Sequence, residues 1–346
     1  MKILYALNGT GNGHITRALE IIPLLKKKAE VDVLISGMLH AEIKLPFDVK
    51  YKLKGIGFIF GKKGGVDYWE SFVKMNSRNM LREIKQVPVK EYDLIISDFE
   101  PVSCWAAIKA KMPSVGLSNQ VATLHPLAPK PKRIDVVGKL VLKHFVPTTF
   151  NYGYHFKSLD KNIFTPIIRK QVRKQKVSDK GHYTVYLPSH DDERIIKHLK
   201  KFKDIKWQVF SKHSKKEYSV KNIHIQPINN DAFLESMASS SGVICTASFG
   251  TPSEALFLKK KLLVVPMKLQ YEQYCNAAML KSMGVAVMKK LKKKYVYKIK
   301  DFLESKEIVE VNYPDITEKI LDTIIENHAG KKAEQEFKHS KYSFFQ

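Results

Sequence analysis

TASFGTPSE, Thr246–Glu254, follows the apolar run Val243-Ile244-Cys245 and precedes a helical pattern that opens near Pro252. That order reads as a strand, a tight turn and a helix start. A helix N-terminus presents backbone N–H groups with no intrahelical partner at the positive end of the helix dipole, and both features favour an anion. The donors expected are the N–H groups of Phe249, Gly250, Thr251 and Ser253. Pro252 suits the first turn because it has no N–H to leave unpaired. Glu254 stands about one turn into the helix, within reach of the hydroxyls of a ribose whose phosphates lie at the turn. The arrangement suits a nucleoside diphosphate.

The N-terminus supplies a second half of the same kind. KILYAL (2–7) is an apolar strand that enters NGTGNGH (Asn8–His14) and then a helical stretch with Ile15, Leu19, Ile22 and Leu25 on one face. Glycines at 9, 11 and 13 allow the backbone to approach a ligand closely. A dinucleotide fingerprint would need an acidic residue at the end of the second strand. That strand, Val31–Ile35, ends in Ser36-Gly37 and carries Asp32 near its start, which disfavours NAD. No Gly-Lys-Ser/Thr follows the glycines, which excludes an ordinary P-loop.

His14 opens the helix beside the strand ends, and an imidazole titrating near neutrality suits a general base for a hydroxyl. A capping or structural histidine is the alternative. A third strand, DLIIS (Asp93–Ser97), leads into Asp98-Phe99-Glu100-Pro101. Asp98 thus falls at a strand's C-terminal edge, where open α/β sheets collect functional groups, and a carboxylate there can orient the His14 imidazole. Its alternative role is to cap the next helix. Glu100 is a competing carboxylate, expected to contact an acceptor.

From Gly250 the chain continues GTPSEALFLKKKLLVVPMKLQYEQYCNAAMLKSMG. This stretch resembles the C-terminal half of nucleotide-sugar glycosyltransferases of the GT-B fold, in which two Rossmann-like, doubly wound α/β domains face each other across a cleft. The likeness is to inverting members, the UDP-glycosyltransferases and the peptidoglycan N-acetylglucosaminyltransferase. GTGNGHITRALE is similar to the N-terminal loop of the latter, GGTGGH, which places Gly11, Asn12 and Gly13 in the acceptor-side glycine loop and His14 as base, with an orienting aspartate at Asp98.

The resemblance implies that Glu254 holds ribose, that the turn of Thr246, Ser248, Phe249, Gly250 and Thr251 holds the diphosphate, and that Glu272-Gln273 holds sugar hydroxyls. Backbone groups near Ile228 would border a uracil edge. Two departures stand out: many plant members have His and Gly in the phosphate turn where this chain has Thr246 and Ser248, and their base-stacking Trp is missing from Gln226–Asn230. Phosphate contacts therefore carry over by position rather than by side chain. Many retaining relatives carry a second glutamate eight positions before the ribose one, and position 246 is Thr, which points to inversion. Enzymes of this fold stabilise the leaving diphosphate with helix dipole and N–H donors, so no metal and no cofactor beyond the nucleotide-sugar co-substrate is expected. The tract His190-Asp191-Asp192-Glu193 is read as helix capping rather than a metal site.

A chain of 346 residues suits two α/β domains of about 150 residues each. The boundaries expected are 1–160 for the acceptor-side domain, a basic linker 161–181, a nucleotide-sugar domain 182–328 and a tail 329–346. The opening segment serves better as a strand than as a signal peptide, and Cys104, Cys245 and Cys275 lack metal-ligand spacing, so a cytoplasmic protein with reduced thiols is expected. The loop SNQVATLHPLAPKPK (118–132) is the candidate for acceptor contact.

The net charge of +25 comes from 59 basic against 34 acidic residues, and a Lys-rich composition accounts for it as readily as a ligand does. KKLKKK (289–294) and KRIDVVGKLVLK (132–143) set basic beside apolar residues, as at a surface meeting anionic lipid or an anionic glycan, and suggest a peripheral place at the inner membrane face with a lipid-linked acceptor. No nucleic-acid recognition motif accompanies the charge. The expected activity is inverting transfer of a sugar from a UDP-sugar to an acceptor hydroxyl. A sugar-nucleotide 2-epimerase on the same fold and a non-catalytic nucleotide-sugar sensor are the alternatives.

Overall fold

A computed structural model describes residues 1–37, 45, 47–55, 59–61, 65–67, 77–132 and 135–329. Residues 330–346 of the expected tail, and Arg133 and Ile134 of the basic segment, lie outside the described residues. Two seven-stranded sheets carry the fold. The first has the order β3-β2-β1-β6-β7-β8-β9, built from β1 (Lys2–Asn8), β2 (Glu30–Ser36), β3 (Tyr51–Leu53), β6 (Leu94–Asp98), β7 (Val115–Ser118), β8 (Phe150–Tyr154) and β9 (Ile163–Phe164). All its pairings are parallel. A small antiparallel pair, β4 (Ile59–Gly61) and β5 (Gly65–Asp67), stands apart.

The second sheet runs β12-β13-β11-β10-β14-β15-β16, from β10 (His182–Tyr186), β11 (Lys206–Ser211), β12 (Tyr218–Val220), β13 (Ile223–Pro227), β14 (Gly242–Thr246), β15 (Lys261–Val265) and β16 (Ala286–Val287). Only the edge strand β12 is antiparallel to its neighbour.

Parallel sheets covered on both faces need strands apolar on both faces, and β1 shows this. Ile3, Tyr5 and Leu7 pack with Ala18, Ile21, Ile22 and Leu25 of the helix Asn12–Lys26, while Leu4 and Ala6 turn to Ile95, Val102 and Ala106. The buried stripe of that helix is rotated from the expected one: Ala18 and Ile21 lie in it, and Ile15 and Leu19 are half-buried at its margin. Each sheet reverses its strand order once, between β1 and β6 and between β10 and β14. Ligands bind at such switch points, outside the carboxyl ends of the strands. The glycine loop after β1, Asp98 at the end of β6 and the turn after β14 all lie there.

One continuous apolar core joins the lobes, with Phe156 against Phe249 at 5.1 Å between ring centroids. β9 adds to the first sheet from within the expected linker. The helix Thr317–His328, expected at the end of the second lobe, packs on the first. Lys28 pairs with Glu318 and Asp322, His328 Nε2 and the Tyr152 hydroxyl share a hydrogen bond of 2.9 Å, and Ile320, Leu321 and Ile324 enter the core beside Ile21 and Leu25. Its apolar stripe finds a partner there that sequence order does not reveal.

Candidate active site

The glycine loop is held against β2. Gly9 donates to the Ser36 carbonyl at 2.6 Å, and a Cβ on Gly9 would sit 3.1 Å from Ile35 Cγ2. Gly11 adopts φ +101° just before the helix Asn12–Lys26, and that helix has no side-chain cap. Its first turn, with Gly11, Asn12 and Gly13 exposed, therefore keeps its N–H donors directed outward. His14 follows as the first buried residue.

Asp98 ends β6 beside Leu7, and its side chain is fully buried. The expected dyad forms: His14 Nδ1 lies 2.9 Å from Asp98 Oδ1. Arg17 joins it, one turn on in the same helix, with Nε donating to Asp98 Oδ2 at 3.1 Å and Nη2 to Oδ1 at 2.8 Å. Burial alone would raise the Asp98 pKa, but the neighbouring charges of Arg17 and His14 bring it down to about 2. The chain turns sharply after Asp98, through Phe99 at φ +56°, whose carbonyl accepts from Asn8 Nδ2 at 3.2 Å.

Glu100 does not face an acceptor. It is fully buried and caps the helix Pro101–Lys109, accepting from Val102 and Ser103 N–H at 2.7 Å each, and it also accepts from the Ser36 hydroxyl. A carboxylate two residues beyond the strand end is drawn to the open helix terminus, while the one at the strand end stays with His14.

In the second lobe β14 ends at Thr246, and the helix Gly250–Phe257 starts without a side-chain cap. A Cβ on Gly250 would meet nothing within 4 Å, so the space before the turn is open. Ser253 is not among the free donors, since its N–H and its hydroxyl both turn back to the Phe249 carbonyl, at 3.2 and 2.8 Å. Phe249, Gly250 and Thr251 keep the N–H groups expected for a phosphate. Thr246 is buried and Ser248 half-buried at the turn. Asn276 Nδ2 holds the turn from behind through the Ala247 carbonyl, at 3.1 Å.

Glu254 has a partner that no motif announces. Arg169, from the connection between the sheets, donates Nε to Oε1 at 2.6 Å and Nη2 to Oε2 at 2.9 Å, and its Nη1 reaches Asn230 Oδ1 at 2.8 Å. A carboxylate offers about four acceptor directions, so two remain for a ribose. The Ile228 N–H is taken by the Ser211 carbonyl at 3.1 Å and so does not serve a base edge, although the side chain is 42% exposed. Asp191 caps the helix Asp192–Leu199, and Asp192 accepts from Ser211 and Tyr218 hydroxyls, which accounts for that acidic tract.

The lobes meet over Glu272. Its Oε2 accepts from Gln120 Nε2 of the first lobe at 2.9 Å, and one turn along Asn119 Nδ2 donates to Asn276 Oδ1 at 3.3 Å. Asn119 and Gln120 lie in a short helix, Asn119–Leu124, capped by Ser118, where a plain loop was expected. Burial raises the Glu272 pKa, against the attraction of His14, Gln120 and Arg17. Glu272 thus feels the charges of His14 and Arg17 from across the cleft. Gln273 departs from the expected pairing: it is buried, and its Oε1 accepts from the Met267 N–H in its own loop at 2.9 Å.

A sequence profile of glycosyl transferase family 1 matches residues 1–306. No sequence among curated proteins matches the chain. Among solved structures, MnaA of S. aureus with UDP is similar with a TM-score of 0.63 at 12% identity, over 94% of this chain and 96% of that one. MurG of Acinetobacter baumannii follows with 0.56 at 13%, over 97% and 98%. The glycosyltransferase SnogD from Streptomyces nogalater gives 0.55 at 13%, over 98% of each chain. Identities this low speak for the two-lobed fold, and the profile match speaks for the family. The chain belongs to glycosyl transferase family 1 and is a glycosyltransferase of the GT-B fold.

Proposed function

We propose that the enzyme transfers a sugar, with inversion, from a UDP-sugar to an acceptor hydroxyl. The observation that carries this reading is the His14–Asp98 contact of 2.9 Å at the switch point of the first sheet, matched by an uncapped helix start at the switch point of the second. His14 Nε2 removes the acceptor proton while Nδ1–H stays on Asp98. The acceptor oxygen bonds to the anomeric carbon from the face opposite the diphosphate, and the bond from that carbon to the β-phosphate oxygen breaks. The departing charge falls on the N–H groups of Phe249, Gly250 and Thr251, which do the work of a cation, so the proposal includes no metal. Glu254 takes the ribose and Glu272 a sugar hydroxyl. Thr246 leaves no second carboxylate for a retaining path. UDP in the MnaA structure supports uridine as the base.

For the acceptor we propose a lipid-linked molecule at the inner membrane surface. Among the described residues no helix is long and apolar enough to cross a membrane. The helix Val136–His144 exposes Val136 (62%), Val137 (56%) and Leu140 (52%) beside exposed Lys139 and Lys143, as an interfacial helix does. In 289–294, by contrast, Leu291 is buried and the lysines alone face out, so this segment offers charge without an apolar anchor. The test is incubation with several UDP-hexoses, with and without membrane extract. Release of UDP that depends on extract is expected. Epimerised donor without extract would favour a 2-epimerase, and binding with no turnover a sensor.

A further inference from the structure

His14 has two polar partners at the same ring nitrogen. Asp98 Oδ1 and Arg17 Nη2 each lie 2.9 Å from Nδ1. They demand opposite things of it. A carboxylate accepts, so it needs a proton on Nδ1, whereas a guanidinium only donates and needs Nδ1 bare. The remaining contacts decide between them. Arg17 already places Nε and Nη2 on the two Asp98 oxygens, so its donors are satisfied without the imidazole. Asp98 Oδ1 can accept from both Nη2 and a His14 Nδ1–H. The cluster is then complete with the proton on Nδ1 and the Nε2 lone pair free.

We propose that Arg17 is a positioning residue that keeps His14 a neutral base, proton on Nδ1, by cancelling the charge of Asp98 while leaving one oxygen for the imidazole to bond. This rests on the reading of His14 as the base. A bare aspartate beside a buried histidine favours the imidazolium, which cannot accept a proton. With Arg17 in place the pair Arg17–Asp98 is neutral overall, and a second positive charge beside the guanidinium is disfavoured. The other groups facing the cluster are Glu272 from the helix Tyr271–Ser282, and Tyr5 of β1 and Tyr154 of β8. Both tyrosine hydroxyls are buried without a hydrogen-bond partner, and burial holds both pKa values well above the ordinary phenol range, so neither adds charge near neutrality. Glu272 is held across the cleft by Gln120 and is common to every variant below.

The test reads His14 directly. Nitrogen-15 NMR of the imidazoles, with His14 assigned by its loss in His14→Gln, gives both tautomer and titration midpoint. Wild type should show the Nδ1–H tautomer. In Arg17→Met the midpoint should rise by a unit or more, so that at a pH below both midpoints the neutral fraction falls about tenfold. The acid limb of the transfer rate should move up with it, while KM for the UDP-sugar stays unchanged. Arg17→Lys keeps the charge and loses the two-pronged contact, so it should show mixed tautomers with a smaller rise. It also decides the matter if Arg17→Met fails to fold. An unmoved midpoint in Arg17→Met, or an undisturbed tautomer in Arg17→Lys, overturns the proposal. If His14→Ala retains full transfer, the base reading fails on its own, and the NMR result still reports what Arg17 does to the imidazole.

Discussion

Arg169 holds both oxygens of Glu254, Nε to Oε1 at 2.6 Å and Nη2 to Oε2 at 2.9 Å, with both side chains largely buried. The arginine is anchored in turn by Asn230, and the next residue's N–H donates to Glu20 of the first lobe at 3.1 Å. The carboxylate proposed for ribose is therefore oriented by the connection between the lobes. Glu254→Ala should weaken UDP binding by about 1–3 kcal/mol, the range for hydrogen bonds to a charged group. Arg169→Ala should weaken it by less, since the carboxylate remains but loses its orientation. Calorimetric titration with UDP measures both, and tighter binding in Arg169→Ala would show that the arginine competes with the nucleotide.

His14→Ala should lower turnover by about 10²–10⁴-fold with UDP affinity little changed, because a general base acts in the transition state. Asp98→Asn should lose less, and the double variant should be scarcely slower than His14→Ala. Single-turnover rates with the UDP-sugar that supports transfer give this cycle. Full additivity would show that the two residues do not act as a unit.

Acid stability should carry the signature of Asp98. Its pKa of about 2 lies below the ordinary aspartate value of 3.8, so its pairing stabilises the fold fully above about pH 4 and ceases to as pH falls through 2. Asp98→Asn should be less stable by about 3–5 kcal/mol at neutral pH, because Arg17 is left buried without its counter-charge. That gap should narrow by about 2 kcal/mol between about pH 5 and pH 2. Urea unfolding at the two pH values checks it, and a constant gap would mean that Asp98 is not depressed.

Gly138 marks where the exposed helix Val136–His144 leans on the second lobe, and a Cβ there would stand 2.6 Å from Tyr271 Cβ. Gly138→Ala should cost about 1–3 kcal/mol by overpacking or push the lobes apart. Urea unfolding and small-angle scattering together cover both outcomes. A variant unchanged in stability and in radius of gyration would show that this contact bears no load.

Vesicles with anionic lipid should sediment the protein at low salt and release it near 0.5 M, an order-of-magnitude choice from the screening length. Val137→Glu with Leu140→Glu should abolish binding, and reversal of Lys139 and Lys143 should weaken it, each lysine contributing about 1 kcal/mol at most. Lysine reversal in 289–294 should matter less, since no apolar side chain is exposed there with them. Protein that stays in the supernatant at low salt removes the support for a lipid-linked acceptor.

The strand–turn–helix units at both switch points were legible from the chain alone. KILYAL with its glycines, DLIIS with Asp98, and TASFGTPSE with Glu254 are each set by backbone preference, helix-end chemistry and apolar pattern within about ten residues, and such local terms act wherever the segment lies. The His14–Asp98 pairing was also within reach, because parallel strands of one sheet bring their ends together. Partner choice over long range was not. Arg17 meets Asp98 across 81 positions, Arg169 meets Glu254 across 85 and Gln120 meets Glu272 across 152, and each contact depends on how helices and lobes pack. The same packing assigned Glu100 to a helix cap, turned Gln273 into its own loop and carried the last helix back to the first lobe. The chain by itself determined the strand–turn–helix units of two Rossmann-like lobes and the groups at their strand ends. The tertiary structure alone decided which charges neutralise one another, because that follows from proximity in space and from burial, which strengthens a charge's hold on its nearest partner.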